Sequence, residues 1–208
     1  MKNLENTVAL NSSVALISSV ARGGKDSITK SFVQEFTNHG INAKRFAFAD
    51  SLKREVNPLT LLNLGINAFT EDSYEKQLIR PLLLAWGKIG RSINPDYWVK
   101  KVSAQIKESE PCLAIISDVR YPNEVSFFDN KILIHLTRYD DGGNEFPPVG
   151  EDEALWIPEL KKMANFRLKW NNFHGDDNLR YYKSKQFFNQ IFADKISQWQ
   201  KDFPLPKI

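Results

Sequence analysis

The chain has 208 residues, 42% hydrophobic and 12% aromatic, enough for one full core and unlike a disordered polymer. Its 28 basic side chains nearly balance 25 acidic ones, so no basic nucleic-acid-binding face is expected. The single cysteine, Cys112, excludes an internal disulfide; within the apolar run 112–116 it reads as a buried thiol of a cytoplasmic protein.

Residues 14–18 are β-branched and aliphatic and lead into small residues and glycines, which predicts a strand. The run is too short for a signal-peptide core, Glu5 interrupts the basic leader, and Arg22 and Lys25 follow at once. Ser27 reads as the cap of a helix whose Ile28, Phe32, Val33 and Phe36 recur at helical spacing, closing at Asn38-His39-Gly40. Alternation over 44–49 predicts a second strand, leading into Asp50 and Lys53. From Val56 to Arg91 the pattern is helical, with interruptions at Gly65 and Pro81. A further helix starts after Asn94-Pro95-Asp96, with Trp98, Val99, Val102 and Ile106 as its apolar face, and Pro111 ends that segment.

Residues 113–117 form a buried strand with Asp118 at its carboxyl end, and 132–136 form another with Arg138 just beyond. Residues 140–150 are polar and rich in Gly and Pro, as in a mobile loop. A weak last strand, 166–170, precedes Asn171-Asn172 and a terminal amphipathic helix carrying Phe187, Phe188, Ile191 and Phe192. Short apolar strands alternating with helices predict an α/β fold with a parallel sheet and helices on both faces. One domain over 1–208 is expected, with a helical insertion at about 50–98 and a mobile loop at about 139–152. No apolar run approaches the roughly 20 residues of a membrane span.

The chemistry concentrates on the turn Ser19-Val20-Ala21-Arg22-Gly23-Gly24-Lys25-Asp26. A phosphate-binding loop needs inward-pointing backbone amides, glycine where a side chain would block the anion, and a lysine for the outer phosphates. The usual spelling is G-x-x-x-x-G-K-[ST] between strand and helix. Here Ser19 replaces the first glycine, and Asp26 stands where the metal-binding hydroxyl normally sits. A strand on one side and a helix on the other suit the mechanism, although an ordinary glycine-rich turn would have the same flanks. Asp118 is placed either to hold a metal or to cap the next helix; Arg120 beside it suits a polyanion with a metal. Arg22, Lys53, Arg80 and Arg91 are either surface charges or cations converging on a transferred phosphoryl group. Trp98 could stack on a base or belong to the core. His39, His135 and His174 lack ligand spacing, and Glu151-Asp152-Glu153 reads as a helix start.

These segments together resemble the phage-type deoxynucleoside monophosphate kinases of the P-loop kinase superfamily. The matching pieces are residues 21–27, 48–53, 80–87 with Arg91, 94–99, 116–124 and 134–138, then Glu153-Ala154-Leu155 and Trp170-Asn171-Asn172. Gly-Lys-Asp is that family's own spelling of the loop, so Asp26 becomes a marker, and the Asp-x-Arg-x-x-x-Glu block at Asp118 is the most specific piece. Ser19, Leu84 and Lys88 depart from the family pattern.

The resemblance implies ATP- and Mg²⁺-dependent phosphorylation of deoxynucleoside monophosphates to diphosphates. Arg22, Gly23, Gly24, Lys25, Asp26, Ser27 and Arg138 would bind ATP, and Asp26 and Asp118 would hold the metal. Lys25, Asp118, Arg120 and Arg91 would carry the transfer, while Asp50, Lys53, Arg80, Arg91 and Trp98 would line the acceptor side. The partners would be small nucleotides, with neither nucleic acid nor membrane, and the reading leaves room for a homodimer. Animal-type phosphomevalonate kinases resemble the same blocks, and a nucleotide-binding regulator without transfer is a third reading.

Overall fold

A computed structural model describes residues 13–206; Glu5 and the leader reading attached to it lie outside the described residues. The chain divides into two compact units, one built from residues up to Phe46 and from Ile106 onward, the other from Ala47–Gln105.

In the first unit, β1 (Val14–Ser18) leads through the glycine turn into α1 (Lys25–Asn38), and β2 (Ala43–Phe46) follows. The second unit comprises α2 (Phe48–Leu64), α3 (Ser73–Ile93) and most of α4 (Tyr97–Glu108). The chain then re-enters the first unit through β3 (Leu113–Val119), α5 (Pro122–Ser126), β4 (Lys131–Arg138), α6 (Glu151–Met163), β5 (Phe166–Trp170), α7 (Asp177–Phe192) and α8 (Ile196–Asp202).

All strand pairs are parallel, in the order β2-β3-β1-β4-β5. Every residue of β1 is buried, as a central strand covered on both faces requires. On one face Ala15, Ile17, Ile115 and Ile134 pack against Phe32 and Phe36 of α1 and Phe188 and Phe192 of α7. Phe32 and Phe192 meet edge-on with ring centroids 5.4 Å apart, an arrangement aromatic quadrupoles favour. Trp199 of α8 closes this cluster against Phe36. On the sheet's other side α6 packs on β4.

Strands β1 and β5 fall where the residue patterns put them, and several expected boundaries move. Alternation over 44–49 overstates β2, because α2 already begins at Phe48. Strand β3 runs two residues further, so Asp118 lies within it, in the irregular stretch between the paired residues Ile116 and Val119. Ser27 is not a cap: α1 starts at Lys25 after Gly24, leaving Ser27 in its first turn. Pro81 does not interrupt α3, which continues from Ser73 to Ile93 around it. The residue pattern shows one terminal helix, and the structure adds a second short one, α8.

Candidate active site

Strand order reverses on either side of β1, and ligands of open α/β sheets bind at the carboxyl ends of the strands at such a point. The register places the relevant groups there. Ser18, the last residue of β1, pairs with Val119 on one side and His135 on the other. The β1–β3 pairing shifts between Leu16 and Ser18, an irregularity that re-aims side chains at the end of β3, where Asp118 emerges.

The turn after β1 is tightly built. The Gly23 N–H donates to the Val20 carbonyl at 3.0 Å. A Cβ on Gly23 would lie 1.6 Å from Ser19 Oγ, so the buried Ser19 side chain occupies the space a side chain at 23 would need. Ser19 is thereby accounted for: its hydroxymethyl group packs over a glycine that must be a glycine. Gly24 has φ +92°, and a Cβ there would meet Trp170 Nε1 at 2.3 Å. Left-handed backbone and the indole at the end of β5 both demand glycine. No side chain caps α1 at Gly24. Its first-turn amides, with the positive end of the helix dipole, therefore suit an anion.

Arg22 also has positive φ, 59°, unusual for a residue with a side chain. Its carbonyl accepts from Arg138 Nη1 at 2.6 Å, while Arg138 Nη2 reaches Asn172 Oδ1 at 3.4 Å. The Arg138 guanidinium lies 4.4 Å from the Phe146 ring centroid, and its Nε is buried without a partner. Arg138 thus ties the glycine turn to the segment after β5.

Beyond β3, the Glu124 carboxylate accepts from the backbone N–H groups of Arg120 (2.7 Å) and Tyr121 (3.0 Å). This explains the Asp-x-Arg-x-x-x-Glu spacing: the glutamate shapes the turn from which Arg120 projects. Arg120 Nη1 lies 3.6 Å from Oε1 of Glu153, which is only 7% exposed. Oε2 of the same carboxylate accepts from the N–H groups of Ala21 (3.2 Å) and Val149 (3.1 Å). Composition marks Glu153 as a helix start and the resemblance places it in a matching block, with no role in the site assigned to it.

Behind the turn, Ser18 Oγ and His135 Nδ1 are 2.9 Å apart. Burial pushes the His135 imidazole down to about 4, with the Lys161 and Arg167 charges adding to the effect against the opposing Glu145 carboxylate. His135 is therefore a neutral core group at neutral pH. A cavity of about 290 Å³ beside it is lined by Val20, Arg138, Phe146, Ile157 and Lys161 among others.

No group of three or more His, Cys, Asp or Glu side chains gathers among the described residues, so no all-protein metal cage is built there. Mg²⁺ asks for less: it keeps several waters and uses one or two carboxylates plus substrate phosphates. Asp26 in the first turn of α1 and Asp118 meet that donor chemistry, and next to Asp118 the Ser117 hydroxyl is buried without a hydrogen-bond partner.

Within the second unit, Glu55 of α2 accepts from Trp86 Nε1 (2.8 Å) and the Tyr97 hydroxyl (3.1 Å) and pairs with Lys101, joining its three helices. Burial raises the Glu55 pKa, but the Lys101, Trp86 and Tyr97 contacts outweigh this and leave it lowered. Gly87 and Gly90 form a smooth strip on α3. Trp98 Nε1 donates to the Gly87 carbonyl at 3.1 Å, and a Cβ on Gly90 would lie 2.9 Å from the Trp98 ring. Trp98 is 2% exposed and offers no face for stacking on a base; the structure gives it to the core. Arg91 Nη1 donates to the same Gly87 carbonyl at 2.9 Å. Lys53 Nζ sits 5.4 Å from the Phe69 ring centroid, Asp50 lies in the first turn of α2, and Arg80 is exposed on α3.

A family model described as phosphomevalonate kinase matches residues 17–133, more than half of the chain. Among solved structures, a dephospho-CoA kinase from Campylobacter jejuni is similar at 15% identity and a TM-score of 0.42, over 86% of this chain and 98% of that one. A sugar kinase from a Janibacter species is similar at 10% identity and a TM-score of 0.37, over 88% and 97%. No curated protein matches the sequence.

Proposed function

Because the chain belongs to the phosphomevalonate kinase family, and is thus a phosphotransferase of the kinase type, we propose that it moves the γ-phosphoryl group of ATP onto the phosphate of a deoxynucleoside monophosphate. The observation carrying the donor half is the uncapped amino end of α1 beneath a glycine turn at the carboxyl end of β1, with Lys25 as the first helical residue. Amides of residues 23–27 and the Lys25 ammonium hold the β- and γ-phosphates. Arg138 fixes the turn from the other side through the Arg22 carbonyl. Asp26 and Asp118 would hold Mg²⁺ or its water shell, and the metal, when bound, neutralises charge on the phosphate oxygens. Arg120 offsets the charge spread over the moving group, and Arg91 that of the acceptor phosphate. No general base is required, because the acceptor oxygen is already anionic; positioning and charge supply the acceleration.

We assign the acceptor to the second unit, with Asp50, Lys53, Arg80 and Arg91 as its polar contacts. The deoxynucleotide reading draws on the matching blocks that continue past residue 133, Glu153-Ala154-Leu155 and Trp170-Asn171-Asn172, which adjoin the glycine turn. Phosphomevalonate is the second reading, favoured by the family match over 17–133. Both acceptors are phosphate monoesters, so one donor machinery serves either. Incubation with ATP, Mg²⁺ and separate acceptors distinguishes them: nucleoside diphosphate formation supports the first, phosphomevalonate consumption the second. ATP binding without any product would leave a nucleotide-binding regulator.

A further inference from the structure

We infer that Glu153 is a positioning residue that holds the phosphate-binding turn in its receiving shape and ties it to Arg120, an inference resting on the donor half of the proposed function. A carboxylate beside a triphosphate site is electrostatically unfavourable, so its presence calls for a reason. The structure supplies one. Glu153 sits in the first turn of α6, where the helix dipole favours negative charge. Oε2 accepts two backbone N–H groups, that of Ala21 inside the turn and that of Val149 at the end of the 139–150 segment. Oε1 faces the Arg120 guanidinium. With the side chain 7% exposed, the carboxylate depends on these three partners in place of water. Three pieces of the donor site, apart in the chain, are therefore joined by one carboxylate: the turn after β1, the arginine after β3 and the segment leading into α6.

The turn has few other restraints on that flank. Arg22 is held in left-handed backbone, and its neighbour Ala21 is anchored by the Glu153 bond. Releasing Ala21 lets the strained residue relax and spreads the amides that must converge on phosphate. Simple electrostatics predicts the opposite outcome, since removing a negative charge beside a triphosphate should tighten binding. The sign of the effect on ATP affinity thus separates positioning from mere proximity.

The test is calorimetric titration of the full chain with Mg-ATP for wild type, Glu153→Ala and Glu153→Gln. The alanine variant should bind about tenfold more weakly. The glutamine variant, whose amide oxygen can still accept both N–H groups, should stay within about twofold of wild type. Unchanged or tighter binding by Glu153→Ala overturns the inference, as does a glutamine variant that loses as much as the alanine one. Should Glu153→Ala not fold, hydrogen exchange of the wild type decides: the Ala21 amide should be protected at least 100-fold, and exchange at the open-loop rate overturns the inference. A wild type that binds ATP but transfers no phosphate would sink the proposed function alone. One that binds no ATP would sink both.

Discussion

The phosphate end of the first unit and the helical second unit are built to different tolerances. Around the glycine turn successive residues each meet a fixed partner: Ser19 fills the space over Gly23, Trp170 closes on Gly24, Arg138 holds the Arg22 carbonyl and Glu153 the Ala21 amide. In the second unit Glu55 joins the three helices and Trp98 packs into the core, beside smaller ties such as Gln105 to Ser51. That unit exposes Leu62 (86%), Ile93 (73%) and Tyr74 (70%). A site for an invariant triphosphate benefits from a single rigid geometry. A unit with exposed apolar side chains can vary its lining without disturbing that geometry, and the two departures on α3, Leu84 and Lys88, fall there.

The contrast breaks most directly at Lys25. Lys25→Ala should lower turnover by about 10²–10³-fold with the fold intact, the scale of losing one preorganised electrostatic contact. Steady-state kinetics alongside thermal melting measures it, and near-normal turnover would remove the turn from the reaction.

The next largest effect is pH-dependent and belongs to the first unit. His135 stays neutral when folded down to about pH 4, whereas the unfolded imidazole takes up a proton below about 6.5. The unfolded chain thus binds more protons between those values, so stability is full above about pH 6.5 and is lost as pH falls toward 4. The shift corresponds to a loss of about 3 kcal/mol. Urea midpoints at pH 7 and 4.5 should differ accordingly, and His135→Asn should flatten that step.

Gly24→Ala should cost about 2–3 kcal/mol and ATP affinity with it, since a left-handed non-glycine backbone and the Trp170 ring must both be accommodated. Its counterpart in the second unit is Gly90→Ala. There the new methyl group meets the Trp98 ring, which should cost about 1–2 kcal/mol, raise the acceptor KM and leave the Kd for ATP unchanged. If ATP affinity falls as far as for Gly24→Ala, the division of labour between the units is wrong. The smallest change is expected for Ser19→Gly: it empties the space over Gly23 and should shift stability by less than about 1 kcal/mol.

How much of this could be read beforehand depended on whether the cause was local. Continuous aliphatic runs fix β1 and the buried part of β3, because a central parallel strand is apolar on both faces. The Asp-x-Arg-x-x-x-Glu spacing was readable as a pattern, and its reason, Glu124 folding back onto the Arg120 and Tyr121 amides, is also local. Elsewhere tertiary contact overrides the local pattern. Ser27 has the chemistry of a cap, but the helix starts earlier, at the point where Gly24 turns left-handed. Pro81 reads as a breaker, yet α3 continues through it. Trp98 reads equally as ligand platform or core until Gly87 and Gly90, eleven and eight positions earlier, are seen to receive it. Glu153 falls in a matching block, but its role is not legible there, because two of its three partners, Ala21 and Arg120, lie far away in the chain.

The proposed reaction is transfer of the terminal phosphoryl group to a deoxynucleoside monophosphate. Incubating the protein with ATP labelled at the γ-phosphate, Mg²⁺ and each deoxynucleoside monophosphate, then locating the label, tests it most directly. Label should appear in the β-phosphate of a deoxynucleoside diphosphate, and Lys25→Ala should abolish it. Label that stays in ATP or appears only as inorganic phosphate, with every monophosphate unchanged, would contradict it.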